Sequence, residues 1–398
     1  MNKLALGVVV VVILLVGVGW AATAHFPLGG DSSATSTSAT SSMTTDSSSV
    51  ASAPIAATKI STGNSPGNWL SDGPAFAANS SKIDYPPDYG AIANFTLGVI
   101  NADRQTAGIQ PVTLSSVPSG QQHADSMAFY GYFSHWDNQG YKPYMRYSLL
   151  GGTGSVEENV ALNYCTTSQP NSTRDIAAPC SLQTVENSIN GSEWMMMNND
   201  TVCCSNGHRA NIMDPIHNRV SLGVAYNSTT VFLVEDFENS YIGSESLQVS
   251  AGVVTLRGLI LAYQNGWMES ESGAEISVHF DPAPSDISLS DLRLMTSCEH
   301  YSELSEPASC QYQGAYTSGT PISTVFYPCP AGRVCSSSGN FTYARQWQMT
   351  YGTGGFDIVF SISALEAAYG SGVYTFYLWP AEVATGPITS LSVFVTGR

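Results

Sequence analysis

Three side chains in the middle of the chain have the types needed for acid–base or metal chemistry: His135, Glu158 and His208. Neutral imidazoles and a carboxylate are donors that suit zinc, copper or nickel. They equally suit general acid–base work near neutral pH. His135 follows a helical pattern and His208 precedes a helical turn, so both stand at element ends that can converge on one cleft. The competing reading is structural, with His135 closing the end of a helix and Glu158 and Asn159 tying down a loop.

Other chemistries lack their motifs. There is no Gly-x-Ser-x-Gly nucleophile elbow and no His-Glu-x-x-His helix. Gly151-Gly-Thr-Gly154 lacks the Lys-Ser/Thr ending of a phosphate loop. Met195 to Met197 reads as core filler rather than a copper site. Arg146 and Arg209 are assigned to pinning nearby loops, His123 to the surface of a helix, and His217 to a loop contact. His279 and His300 fall in the β-rich C-terminal part, away from partners at ligand spacing.

The elements that must position these residues begin near Ala91. Phe95, Val99, Ala102 and Thr106 recur at helical spacing, with Arg104 on another face. Pro118-Ser119 opens a second helix with Ser119 as its N-cap and Ala124, Met127, Ala128 and Gly131 as its apolar stripe. A third runs from Val185 to Met197, with Ile189 and Met196 as core candidates. Strands at Val220–Tyr226 and Val231–Phe237 follow, joined by a turn at Asn227-Ser-Thr229. Helices first and a hairpin last predict an α+β unit. From Leu247 the period becomes two. Ile276, Val278 and Phe280 alternate with polar residues, as do Phe356, Ile358, Phe360 and Ile362, and Leu391, Val393 and Val395. That pattern predicts an all-β, sandwich-like unit.

The order of short motifs is informative. Ile100-Asn101 and Arg104 come first, then Phe133-Ser-His135-Trp, Gly140, Pro143 and Arg146, then Glu158-Asn159-Val-Ala161, Asn206-Gly-His208-Arg-Ala-Asn-Ile-Met213 and Gly223-Val-Ala225. This series resembles the CAP superfamily of cysteine-rich secretory proteins, antigen 5 and pathogenesis-related-one proteins (the SCP-like extracellular domain), in its bacterial and archaeal form. The resemblance covers residues 91–239. It implies an α-β-α sandwich whose cleft is lined by two histidines and one or two acids able to hold a divalent metal such as zinc. Matched residue by residue, these are His135, Glu158 and His208. The fourth place falls to Glu193, with Asp200 as its competitor, because an insertion containing Cys203-Cys204 disturbs the match.

Composition sets the compartment. Lys3 precedes an uncharged apolar run from Leu4 to Ala22, long enough to span a bilayer, and Ala22-Thr-Ala24 resembles a cleavage site. A retained anchor and a cleaved signal peptide are both consistent with this, and either places the rest outside. Fourteen of the twenty residues from Asp31 to Val50 are Ser or Thr, so this stretch cannot bury a core and reads as a disordered tether. Seven Asn-x-Ser/Thr sequons, at Asn79, Asn94, Asn171, Asn190, Asn199, Asn227 and Asn340, fit an exported glycoprotein. The cysteines fall into two sets, Cys165, Cys180, Cys203 and Cys204, then Cys298, Cys310, Cys329 and Cys335. Even sets in an exported chain read as disulfides, with Cys165–Cys180 and Cys298–Cys310 the simplest of the three connectivities each set allows. A net charge of −17 repels phosphate backbones and argues against nucleic-acid binding.

The expected layout is residues 1–24 as leader or anchor, 25–87 as tether and lead-in, 88–242 as the CAP/SCP-like domain and 243–398 as the β-rich domain. The favoured function is a non-enzymatic surface module that binds a lipid, a glycan or an envelope protein. The alternative is a metal-dependent hydrolase of peptides or cell-wall polymers. In it His135 and His208 hold the metal, and Glu158 is the catalytic residue that orients or deprotonates water.

Overall fold

The computed structural model describes residues 89–167, 176–177, 179–200, 206–227, 230–261, 274–298, 320–327, 341–350, 354–380 and 386–395. The apolar run, the tether, His300 and Cys203, Cys204, Cys310, Cys329 and Cys335 lie outside these residues. No helix among the described residues is long and apolar enough to cross a membrane.

In chain order the first part runs α1 (Tyr89–Thr106), β1 (Thr113–Leu114), α2 (Ser119–Tyr130), α3 (Pro143–Leu149), β2 (Ser155–Tyr164), β3 (Thr166–Thr167), β4 (Ile176–Ala177), α4 (Leu182–Asn198), α5 (Gly207–Met213), β5 (Arg219–Asn227) and β6 (Thr230–Asn239). Its sheet has the order β1-β5-β6-β2, which leaves β2 on an edge. Strand alternation divides the side chains between two faces. Val160, Ala225, Phe232 and Val234 pack against Ala124, Met127 and Ala128 of α2. Their neighbours Val224, Val231 and Leu233 pack against Ile92 of α1 and Val185 and Ile189 of α4. A Cβ on Gly223 would lie 2.0 Å from the Gly120 carbonyl oxygen, so α2 can lie this close to β5 only because glycine stands there.

Two local expectations are corrected. The buried stripe of α1 is Ile92, Thr96, Ile100 and Arg104, one or two positions on from Phe95, Val99 and Ala102. Arg104 belongs to this stripe because the guanidinium finds carbonyl acceptors at Gln110, Ile212, Asp214 and His217. Ser119 does not cap α2. Its hydroxyl donates to Asp236 instead. α4 is capped by a reciprocal Ser181/Thr184 box. The Cys165–Cys180 disulfide ties the end of β2 to the approach to α4.

The second part runs β7 (Ile242–Ser250), β8 (Val253–Ile260), β9 (Glu275–Asp281), α6 (Leu289–Cys298), β10 (Thr320–Tyr327), β11 (Phe341–Tyr343), β12 (Gln346–Thr350), β13 (Gly355–Ser361), α7 (Ser363–Tyr369), β14 (Gly372–Trp379) and β15 (Thr389–Val395). The fold is therefore mixed α+β. Two sheets, ordered β11-β10-β9-β14-β15 and β12-β13-β8-β7, share one core. Ile276, Val278, Phe376, Leu391 and Val393 enter it from one side, and Leu256, Phe356, Ile358 and Phe360 from the other.

β14 and β15 are buried on both faces. Their outward residues Val373, Thr375, Ser390 and Ser392 are covered too, because this face meets the first part at α3. Leu292 of α6 also reaches back, into the core formed by α2.

Candidate functional site

The site forms at the edge strand. Register sets Glu158 opposite Asp236 and Asn159 opposite Glu235. Glu158 therefore faces the α2 side and Asn159 the α4 side.

Glu158 Oε1 lies 2.9 Å from His135 Nδ1, and Oε2 accepts from Arg146 Nη2 at 2.6 Å. Arg146 Nη1 also donates to the carbonyl oxygens of His135 and Tyr141, at 2.9 and 2.8 Å. Arg146 thus pins the loop it was assigned to, and it supplies the cation that pairs with Glu158. When His135 donates its Nδ1–H to Glu158, Nε2 becomes the basic nitrogen of the ring. Burial, helped by the charges of His208 and Arg146, lowers the His135 pKa to about 3. Burial raises Glu158 to about 7, against the pull of Arg146. Asp236 is pushed well above the usual carboxylate range by burial and by the charge of Glu158.

His208 stands in the first turn of α5. Its Nδ1 is 2.6 Å from Asp200 Oδ1, and the Arg209 amide donates to Asp200 Oδ2 at 3.3 Å. Asn159 joins this side. Its Nδ2 donates to the His208 carbonyl at 3.2 Å and to Glu235 Oε2 at 3.2 Å, and its Oδ1 accepts from Asn211. Two neighbours on β2 thus reach round the sheet edge, Glu158 to the His135 ring and Asn159 to the backbone of His208. The side chains of His135 and His208 are 9% and 17% exposed, so both keep a small contact with solvent.

Glu193 is not part of this group. It lies buried on α4 against Glu235, where the sequence also allowed an exposed helix charge. Asp200, its competitor in the family match, is the carboxylate that meets His208. His123 is corrected from a surface residue to a buried one, with Nε2 2.8 Å from the Ser134 carbonyl oxygen and 3.9 Å from Glu158 Oε1. His217 makes its contact with Asn239 and stacks on Phe237, Arg209 pins Met197, and His279 lies against Tyr377. Asp236 was not anticipated, although its register opposite Glu158 follows once β2 is known to be a strand.

The arrangement gives two imidazoles, each oriented through Nδ1 by a carboxylate, as in many metal-binding histidines. Among the described residues, however, no three His, Cys, Asp or Glu side chains are grouped so as to hold a metal ion. Both Glu158 oxygens are already engaged, so His135, Glu158 and His208 do not form a three-ligand cage here. Glu158 serves to orient and to set charge.

No family model matches the chain, and no curated protein matches it. Among solved structures, the chain is similar to an extracellular protein containing a SCP domain from Bacillus anthracis str. Ames. The identity is 17%, the match covers 36% of this chain and 39% of that one, and the TM-score is 0.26. A TM-score this low does not establish a common fold.

Proposed function

We propose that the protein is an exported, CAP-superfamily surface protein whose two-histidine cleft binds a ligand and does not catalyse a reaction. The observation that carries this reading is the pairing of His135 with Glu158 and His208 with Asp200 on either side of one strand edge. Such a site offers two fixed, polar contacts with little solvent around them, which suits recognition. The motif order read from the sequence supports the family, and an α-β-α layering fits the packing of α2 on one sheet face and α1 and α4 on the other. The disulfide Cys165–Cys180 supports an oxidising, extracellular compartment. The apolar N-terminal run would either anchor the chain in the membrane or be removed on secretion.

A lipid, a glycan or an envelope protein is the class of ligand considered. The hydrolase alternative needs Glu158 to activate water, and its two oxygens are held by His135 and Arg146. Native mass spectrometry of the purified protein, beside elemental analysis and a peptide and cell-wall hydrolysis panel, tests the proposal. The expected result is a bound species that is lost in His135→Ala/His208→Ala with no hydrolysis in either form. Turnover abolished by that double change would reverse the conclusion.

A further inference from the structure

Asp281 ends β9 in the second part of the chain, yet both its oxygens serve the first. Oδ1 accepts from Lys142 Nζ at 2.6 Å and Oδ2 from the Tyr144 hydroxyl at 2.6 Å. Lys142, Tyr144 and Asp281 are 2%, 2% and 4% exposed, so this is an interior contact. Lys142 is the residue just before α3, and its ammonium also sits 4.9 Å above the Trp136 ring, next to His135.

The far end of α3 is held by the same sheet. Ser148 Oγ donates to the Ser390 carbonyl at 3.2 Å and accepts from the Ser392 amide at 3.1 Å. Between these ends Val373 packs with Tyr144, Met145 and Tyr147. The helix therefore lies across the outer face of the five-stranded sheet, gripped at both ends. A helix of seven residues has little stability of its own. Its position is set by what it docks on, and one turn beyond Lys142 it carries Arg146.

We propose that the C-terminal sandwich is a positioning element for the histidine site: Asp281, through Lys142 and Tyr144, fixes α3 so that Arg146 holds Glu158 and hence the His135 ring. Asp281 touches neither histidine and is a positioning residue. The inference deepens the reading above and rests on the His135–Glu158 pair being part of the working site. A buried ion pair contributes little net stability against a well-packed apolar substitute, so its best-supported use is to fix one arrangement.

The test is nitrogen-15 NMR of the full chain at neutral pH, reading the His135 tautomer and the exchange of the Arg146 guanidinium protons. The wild type should show a single Nδ1–H tautomer; any other state rejects the site reading itself, before a variant is made. Lys142→Met/Tyr144→Phe/Asp281→Leu removes the polar grip without stranding a buried charge. It should keep the sandwich core's amide spectrum, mix the His135 tautomers and speed Arg146 exchange by about tenfold or more. An unchanged tautomer and unchanged exchange overturn the proposal. Should the triple variant not fold, Asp281→Asn, which keeps the side-chain size, decides on the same two signals.

Discussion

Glu193 of α4 and Glu235 of β6 meet inside the protein at 1% and 0% exposure, with Asp103 of α1 adding a third negative charge nearby. Glu235 Oε2 accepts from the Asn159 amide at 3.2 Å, a neutral donor that does not offset this charge. Burial, then the charge of Glu235, raises the Glu193 pKa well above its usual value. Two carboxyls in such a place cannot both be ionised, so the folded state keeps a proton there. Glu193→Gln should then stabilise the protein at pH 7, because the folded state no longer has to take up a proton there. Chemical denaturation of the two forms checks this.

The same sign recurs through the interior. Asp137 and Glu157 are raised to about 6, Glu158 and Glu238 to about 7, and Asp236 and Glu245 well above the usual range, each mainly by burial. A carboxyl raised on folding binds its proton more tightly in the folded state, so its contribution is present at low pH and lost as pH rises from the unfolded value near 4.5. Three histidines oppose this. His123 is lowered well below 6.5, His135 to about 3 and His217 to about 4, which costs stability as pH falls below 6.5. Between pH 6.5 and 8 only the carboxyls act, and below that they still outnumber the histidines. The melting temperature should therefore rise on acidification from pH 8 to about 5. Calorimetry across that range checks the slope; a flat or inverted profile contradicts it.

Arg146 is fully enclosed and bonds Glu158 and two carbonyls. Arg146→Met should cost about 3–5 kcal/mol, because Glu158 is left buried without its cation. Equilibrium unfolding measures the loss. Adding Glu158→Gln to the Met variant should recover part of it, because Glu158 without Arg146 must take up a proton to stay buried.

Arg104 closes the C-terminal end of α5 by bonding the carbonyls of Ile212, Asp214 and His217. Arg104→Ala removes the buried donor from the Ile212 and His217 carbonyls, while Asp214 keeps the His217 amide, at a cost of about 3 kcal/mol. Amide exchange should accelerate first in α5, the helix that carries His208.

Reduction of Cys165–Cys180, or replacement of both by serine, frees a loop of sequence separation 15. The expected loss is about 2–4 kcal/mol. Thermal melts with and without reductant check it.

Much of this was legible in the sequence because it is local. Alternation marked the sandwich strands, and the Asn206–Met213 segment announced a helical turn led by His208. Arg146 was read as pinning the loop beyond His135 through carbonyls or a carboxylate, and it bonds both. What stayed hidden depends on contacts between distant segments. Glu158 lies on a strand whose sequence, Ser155-Val-Glu-Glu-Asn-Val-Ala-Leu-Asn-Tyr164, lacks clean alternation because both its faces are partly covered. His123 and Glu193 look solvent-facing on polar helices until the sheet is in place. Asp281 sits in a Pro-rich stretch that reads as a turn, and only the docking of α3 shows what it binds.

The proposed site requires His135 and His208 to share one place on the protein. Titration of the His135 ring by NMR in wild type and in His208→Gln tests this most directly. Removing a neighbouring positive charge should raise the His135 pKa from its depressed value near 3 towards the ordinary range. A His135 titration that does not move when residue 208 can no longer carry charge would show that the two rings do not face each other.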